Sequence, residues 1–265
     1  MKGLLFGCRR IIAVLALVPA AAIASSEACP GLVAQNRSHV FPVALDKDEV
    51  SITFVGHATF LIESPGGIRI ATDYNDYVRP RITPDVATMN KAHSTHFSYQ
   101  PDPAIRYVLR GWNPAGGPAN HDLQVSDVRI RNVVTNIRDW GGGTERDGNS
   151  IFVFETADLC IAHLGHLHHT LTPEHLKQLG RIDVVLVPVD GSYTLDVGGM
   201  IEVLKALDAR LMLPMHYFGQ ATLQRFLDRV RQDWPVAFNE TSSVVVSRAS
   251  LPRKPQFLVL PERGE

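Results

Sequence analysis

Histidine is the residue that gives this chain its chemical character. Five of its 11 histidines fall within "IAHLGHLHHTLTPEHL", from Ile161 to Leu176: His163, His166, His168, His169 and His175. Three other places bring metal-capable side chains to the ends of apolar runs. His57 breaks "SITFVGHATFLIE", with Asp73 closing the run after it; His93 and His96 stand in "AHSTHFSY"; Asp190 follows "VLVPV" and His216 follows "LMLPM". A neutral imidazole or a carboxylate binds a borderline cation such as Zn²⁺ at about 2.0–2.2 Å, so several stiff elements must deliver their groups to one point. One histidine ending a strand is ordinarily a polar residue emerging into solvent. Four such ends in one chain point to a metal centre.

The elements that must do the positioning are legible from periodicity. Strand-forming residues dominate from Glu49 onward: two β-rich runs split by Gly-His, a Gly-Gly turn, then a third strand in "GGIRIATD". "DVATMNKAHSTHFSY" reads as a strand entering a loop, and "PDPAIRYVLRGWNPAGGPANHD" as a Pro- and Gly-rich, loop-dominated insert. "LQVSDVRIRNVVTNIRDW" supplies alternating strands, "GGGTERDGN" a turn, and "SIFVFETADLCIAHLG" a hairpin. The second half changes rhythm. "LTPEHLKQLG" has Thr172 as N-cap, Pro173 in the first turn and Gly180 as its stop. "RIDVVLVPVDG" and "ARLMLPMHY" are continuous apolar runs, as strands buried on both faces require. "VGGMIEVLKALD" and "ATLQRFLDRVRQDW" space their apolar residues as helices do, and "SSVVVS" and "QFLVL" close the chain as strands. The expected fold is α+β: two mixed β-sheets flanked by helices, an αββα four-layer sandwich, in a single domain over 49–265.

The N-terminus carries a different message. Lys2, Arg9 and Arg10 precede the apolar run Ile11 to Ala24, which ends in small residues. That is the form of an export signal over 1–25, and the run is short of the roughly 20 residues a membrane span needs. The expectation is an exported protein, in the periplasm, with an irregular arm over 26–48 and no stable membrane span after cleavage. Removing the signal leaves 23 Lys plus Arg against 27 acidic residues, a net charge of −4. No basic stripe is present, which argues against a nucleic-acid partner. Cys29 and Cys160 would remain and could pair in an oxidising compartment.

In order, these motifs resemble the metallo-β-lactamase superfamily, in particular its ascorbate-6-phosphate-lactonase-like and N-acylphosphatidylethanolamine-phospholipase-like branch. The likeness spans roughly Val50 to Phe218. "ITFVGHATFLIE" with "GGIRIATD" looks like that branch's opening, and "IAHLGHLHHTLTPEHL" is similar to its "HLGDLGH" signature. "IDVVLVPVDGSYTLD" and "LMLPMHY" look like its later strands, the last of which delivers a histidine ligand. The departures are specific. The superfamily's His-x-His-x-Asp-His motif is replaced by "AHSTHFSY", with Ser98 and Tyr99 where Asp and His belong. His166 stands where relatives carry an aspartate, and Asp190 where many carry glycine.

The resemblance implies a metal-dependent hydrolase that uses metal-bound hydroxide on a small-molecule lactone, amide or phosphoester. The expected metal is zinc, as one or two ions, with iron or manganese also accepted by such a site. The resemblance makes His93, His96, His166, His169 and His216 the expected ligands. Asp190 is either a further ligand or an acceptor behind a histidine; as a base it would take the proton of water. Tyr99 would donate to the developing oxyanion. His57, Asp73 and His163 are expected behind the ligands or beside the substrate. The rival readings are a non-catalytic metal-binding or scaffold protein on the same fold, and an iron-dependent oxidoreductase.

Overall fold

The structure, a computed structural model, describes residues 45–139 and 141–263. The export signal, the arm up to residue 44 and Cys29 lie outside the described residues; Cys160, inside a strand, is disulfide-bonded.

The chain begins with β1 (Glu49–Gly56), β2 (Thr59–Glu63), β3 (Arg69–Ala71), β4 (Val86–Met89) and β5 (Tyr107–Arg110). It continues with β6 (Asp122–Val125), β7 (Val128–Arg138), β8 (Thr144–Thr156) and β9 (Leu159–His163). Alternation follows: α1 (Pro173–Leu179), β10 (Val184–Pro188), α2 (Val197–Leu207), β11 (Leu211–Met215) and α3 (Gln220–Val230). The last strands are β12 (Val236–Phe238), β13 (Ser243–Ser247) and β14 (Gln256–Val259). A six-stranded sheet runs β13-β1-β2-β3-β4-β5, and an eight-stranded sheet runs β12-β14-β11-β10-β9-β8-β7-β6.

Both sheets are mixed, and their parallel portions set the site. In the smaller sheet β3, β4 and β5 are parallel, and β1 points the same way because β2 lies antiparallel between β1 and β3. In the larger sheet β9, β10, β11, β14 and β12 are parallel. Their inner faces pack together. Ile52, Phe54, Phe60 and Ile62 share one apolar cluster with Phe152, Phe154, Ile161, Leu186 and Leu213, all buried. Each such side chain contributes about 1.5–3 kcal/mol of burial free energy, which makes the two sheets a stiff base for what projects from their ends.

Helices cover the outer face of the larger sheet. β10 and β11 are buried at every position, and α2 presents Met200, Ile201, Val203, Leu204 and Leu207 to the core. Phe226 of α3 meets Phe257 of β14 edge-on at 5.7 Å. All three described helices lie in crossovers of this sheet. On the smaller sheet successive residues alternate faces: Ile70 and Val86 join the main cluster, while Ala71 and Ala87 join a second one with Tyr74, Met89 and Ile105. Loop side chains Phe97 and Trp112 complete that outer cover.

Two segments depart from the sequence reading. The Pro- and Gly-rich insert contains β5, which forms the edge of the smaller sheet. "TERDGN" is the start of β8, not a turn; it pairs with β7 across a bulge between Thr135 and Ile137. Long-range pairing overrides the local turn composition there. The marked helix α1 forms as read, with one addition: His175 completes its capping box, accepting from the Thr172 N–H at 3.2 Å.

Arg131 on β7 ties α1 to the sheet. Its guanidinium reaches Glu155 at 2.7 Å and the α1 carbonyls of Gln178 and Leu179 at 2.8 and 2.7 Å. The Glu155 side chain is fully buried, so losing this partner strands most of a charge. Arg131→Met should lower unfolding free energy in urea by about 3 kcal/mol, the usual cost of breaking a buried pair. A loss below a few tenths of a kcal/mol would show that Arg129 alone satisfies Glu155.

Candidate metal centre

Six strand ends meet at one edge. His57 follows β1, Asp73 follows β3, and His93 and His96 sit in the loop after β4. From the larger sheet, His166 follows β9, Asp190 follows β10 and His216 follows β11. The His216 N–H donates to the His57 carbonyl at 2.6 Å, which locks the two sheets together at the site itself. His57, Asp73 and His216 hold left-handed backbone conformations, with φ of 51°, 40° and 55°. Such strain in residues other than glycine is stored where surrounding structure over-determines it.

The buried rings of His96, His166 and His216 form a triangle with all three centroid separations at 5.0 Å. An ion held tetrahedrally by three imidazole nitrogens at about 2.0–2.1 Å sets ring centres about 5 Å apart, so this triangle has the dimensions of a metal site. His57 and His93 flank it. Ligand atoms of His57, His93, His96 and His216 all lie within 4.8 Å of one another. His166 adds a fifth ring, 5.0 Å from that of His93.

The hydrogen bonds fit a cation. Both His166 ring nitrogens are buried without a hydrogen-bond partner, a costly state for an imidazole unless a ligand takes it up. His96 Nδ1 lies 2.5 Å from Asp73 Oδ2, and His216 Nδ1 lies 3.1 Å from Asp190 Oδ1. With each ring donating from Nδ1 to its carboxylate, the bare Nε2 lone pairs of His96 and His216 face each other at 3.0 Å. A cation between them turns that repulsion into coordination, and carboxylates behind the rings fix their tautomers.

Titration follows burial. Desolvation first, then the neighbouring imidazoles, pushes His57 down to about 3 and His93 to about 4. The same causes hold His96 and His166 well below the usual histidine range. Burial lifts Asp73 well above its usual range, against the Asn90 hydrogen bond, so an anion there requires nearby positive charge. Burial also pushes Asp190 upward, but hydrogen bonds from His216, Thr194 and Ser192 together with the His216 charge outweigh it and hold the carboxylate low.

Several expected roles are displaced. Asp190 Oδ2 accepts from the Ser192, Tyr193 and Thr194 N–H groups at 2.9, 2.6 and 3.2 Å, and Oδ1 serves Thr194 and His216. With both oxygens engaged in these bonds, it stands behind His216, the second of the two placements expected for it. His169 accepts from the Asn136 N–H at 3.1 Å and donates to the Thr170 carbonyl at 2.8 Å, in a surface group with His168 and His175. It does not reach the cluster. Tyr99 is 76% exposed and packs on Phe97, so it offers no donor at the centre. His57 moves the other way, from behind the ligands into the cluster itself. His163 stays behind it: Nδ1 accepts from the Gly165 N–H, so Nε2 donates to the Ala58 carbonyl at 2.9 Å, bracing the His57 turn.

Three residues that the sequence did not single out also shape the site. The Thr95 hydroxyl lies 2.9 Å from His57 Nε2 and 2.7 Å from His93 Nδ1. Asn90 donates to Asp73 at 3.0 Å and accepts from Ser150 at 2.8 Å. Asn149 accepts the His166 N–H at 2.8 Å. The β9 loop passes so close that a Cβ on Gly165 would lie 2.4 Å from Asn149 Oδ1 and 2.5 Å from Asn90 Nδ2. Only glycine fits there, and its φ of 61° suits it.

The profile of the beta-lactamase superfamily domain matches residues 51–216, more than half of the chain. The chain belongs to the metallo-β-lactamase superfamily. It is 24% identical over 192 residues to a UPF0173 protein of Pyrococcus furiosus, covering 67% of this chain and 89% of that one. A UPF0173 metal-dependent hydrolase of Thermoplasma volcanium is 23% identical, covering 77% and 96%. Among solved structures, a Zn-dependent hydrolase of the metallo-β-lactamase superfamily from Thermotoga maritima superposes with a TM-score of 0.58 at 29% identity, over 80% of this chain and 98% of that one.

Because His57, His93 and His163 titrate at about 3 to 4 when folded and near 6.5 when unfolded, the unfolded chain binds more protons between those values. Stability therefore falls as pH drops through that window; Asp73, shifted upward, opposes the trend as a single group. The melting temperature of chelator-treated protein should drop steadily from pH 7 to pH 4. A flat profile would contradict the burial of neutral imidazoles.

Proposed function

We propose that the histidine cluster is the metal centre of a hydrolase acting on a small-molecule lactone or amide, with zinc as its ion. The chain is a metal-dependent hydrolase of the metallo-β-lactamase superfamily, and its five clustered imidazoles suit zinc. The 5.0 Å triangle of His96, His166 and His216 carries the reading.

These three histidines would hold the ion, being buried and backed by Asp73, Asn149 and Asp190. When bound, the ion supplies a Lewis acid and brings the pKa of water toward about 7. The chain's own groups do the rest. His57 and His93 are partly exposed and mark the side from which substrate and water enter. The Thr95 hydroxyl between them donates to one ring and accepts from the other, leaving one neutral imidazole positioned to take a proton from water. Asp73 and Asp190 hold His96 and His216 in the ligating tautomer throughout.

Among the described residues, the carboxylates at the cluster, Asp73 and Asp190, stand behind histidines, which favours one ion per chain. The N-terminal basic residues and apolar run support export to the periplasm.

Elemental analysis of the exported protein should find about one zinc per chain, and His166→Ala or His216→Ala should each lower occupancy at least tenfold, as expected for loss of a ligand. Turnover should appear on lactone or amide panels and vanish in both variants. Unchanged metal in both variants would defeat the ligand assignment. Full metal without turnover on any lactone, amide or phosphoester would make this a metal-holding protein instead.

A further inference from the structure

The loops after β10 and β11 each present an aromatic ring beside the histidine cluster. Tyr193 lies just past Asp190, and Phe218 just past His216. Their ring centroids are 5.5 Å apart with the planes at 71°, an edge-to-face pair. The Phe218 ring also lies 5.5 Å from that of His216 and 5.9 Å from that of His57. The pair therefore borders the centre directly, on the side where His57 is only half-buried.

Neither ring is part of the core: Tyr193 is 61% exposed and Phe218 59%. Folding leaves two large aromatic side chains mostly in water beside the site, and exposed apolar surface gathered at one place marks a contact region. Their backbones are held by the framework of the site itself. The Tyr193 N–H donates to Asp190 at 2.6 Å, and the His216 N–H to the His57 carbonyl at 2.6 Å. Two rings at 71° make a corner: a third ring laid on the face of one meets the edge of the other, and aromatic pairs favour both contacts. An ammonium group would also suit a ring face, but here it would stand beside the cation that the histidines hold.

We infer that Tyr193 and Phe218 are specificity-determining residues that receive an aryl group of the molecule cleaved at the histidine cluster, so that the substrate is a lactone or amide bearing an aromatic ring. The inference rests on the hydrolase reading for its chemistry, but the corner can be tested by binding alone. Hydroxamates anchor to a bound metal ion through one common group and differ in what they carry beside it. Titrated into the metal-loaded protein and followed by calorimetry, benzohydroxamate should bind at least about tenfold more tightly than acetohydroxamate, ring contacts adding to burial. Both side chains are exposed, so Phe218→Ala and Tyr193→Ala should fold and keep their metal. Each should cut the aryl advantage at least about threefold and leave acetohydroxamate binding as it was, while Tyr193→Phe, which retains the ring, should preserve the advantage. Equal affinity for the two hydroxamates, or an aryl advantage that survives both alanine substitutions, would overturn the inference. So would cyclohexanecarbohydroxamate binding as tightly as benzohydroxamate, since its saturated ring cannot stack. Turnover of lactones or amides without any aryl advantage would sink this inference and leave the hydrolase reading standing. An aryl advantage lost with the two rings, in a protein that turns over no lactone or amide, would keep the corner and sink the hydrolase reading.

Discussion

The structure turns on three imidazoles that face one another in a dry place. His96 and His216 are fully buried and His166 is 5% exposed, yet neither nitrogen of His166 has a protein partner. Groups in that condition cost free energy until something binds them. The surrounding architecture is what keeps them there. Each lies in the loop that follows a parallel strand packed between sheets or under helices, and the His57–His216 backbone bond joins the two sheets at the site.

Carboxylates have withdrawn from the centre to stand behind it. Asp73 and Asp190 perform the same task for His96 and His216, but their surroundings differ. Asp73 has one amide donor from Asn90 and a buried site, so its anionic form leans on positive charge beyond His96. Asp190 is held low first by His216, through its hydrogen bond and charge, and then by the Thr194 and Ser192 donors around it.

The arrangement of strand ends was legible in the chain because it depends on local pattern: apolar runs closed by His or Asp at residues 57, 73, 190 and 216. The capped helix α1 was legible for the same reason, since Thr172, Pro173 and Gly180 act over a single turn or two. What escaped was anything decided by long-range contact. His169 and His166 lie three residues apart in one loop, and only the paths of β7 and β9 send one ring to Asn136 and the other into the cluster. Asp190 read equally well as ligand or support, because its turn donors come from residues with no distinctive pattern. Thr95, Asn90 and Asn149 are ordinary residue types whose importance exists only once the strands are assembled.

On the proposed reading, converging histidines enclose one ion with no bridging carboxylate. X-ray absorption at the metal edge of the loaded protein measures this directly. A first coordination sphere of nitrogen and oxygen at about 2.0–2.1 Å, with at least three imidazole rings and no metal neighbour, is the predicted spectrum. A second metal at about 3.5–4 Å, the spacing of two-ion hydrolytic sites, would contradict it.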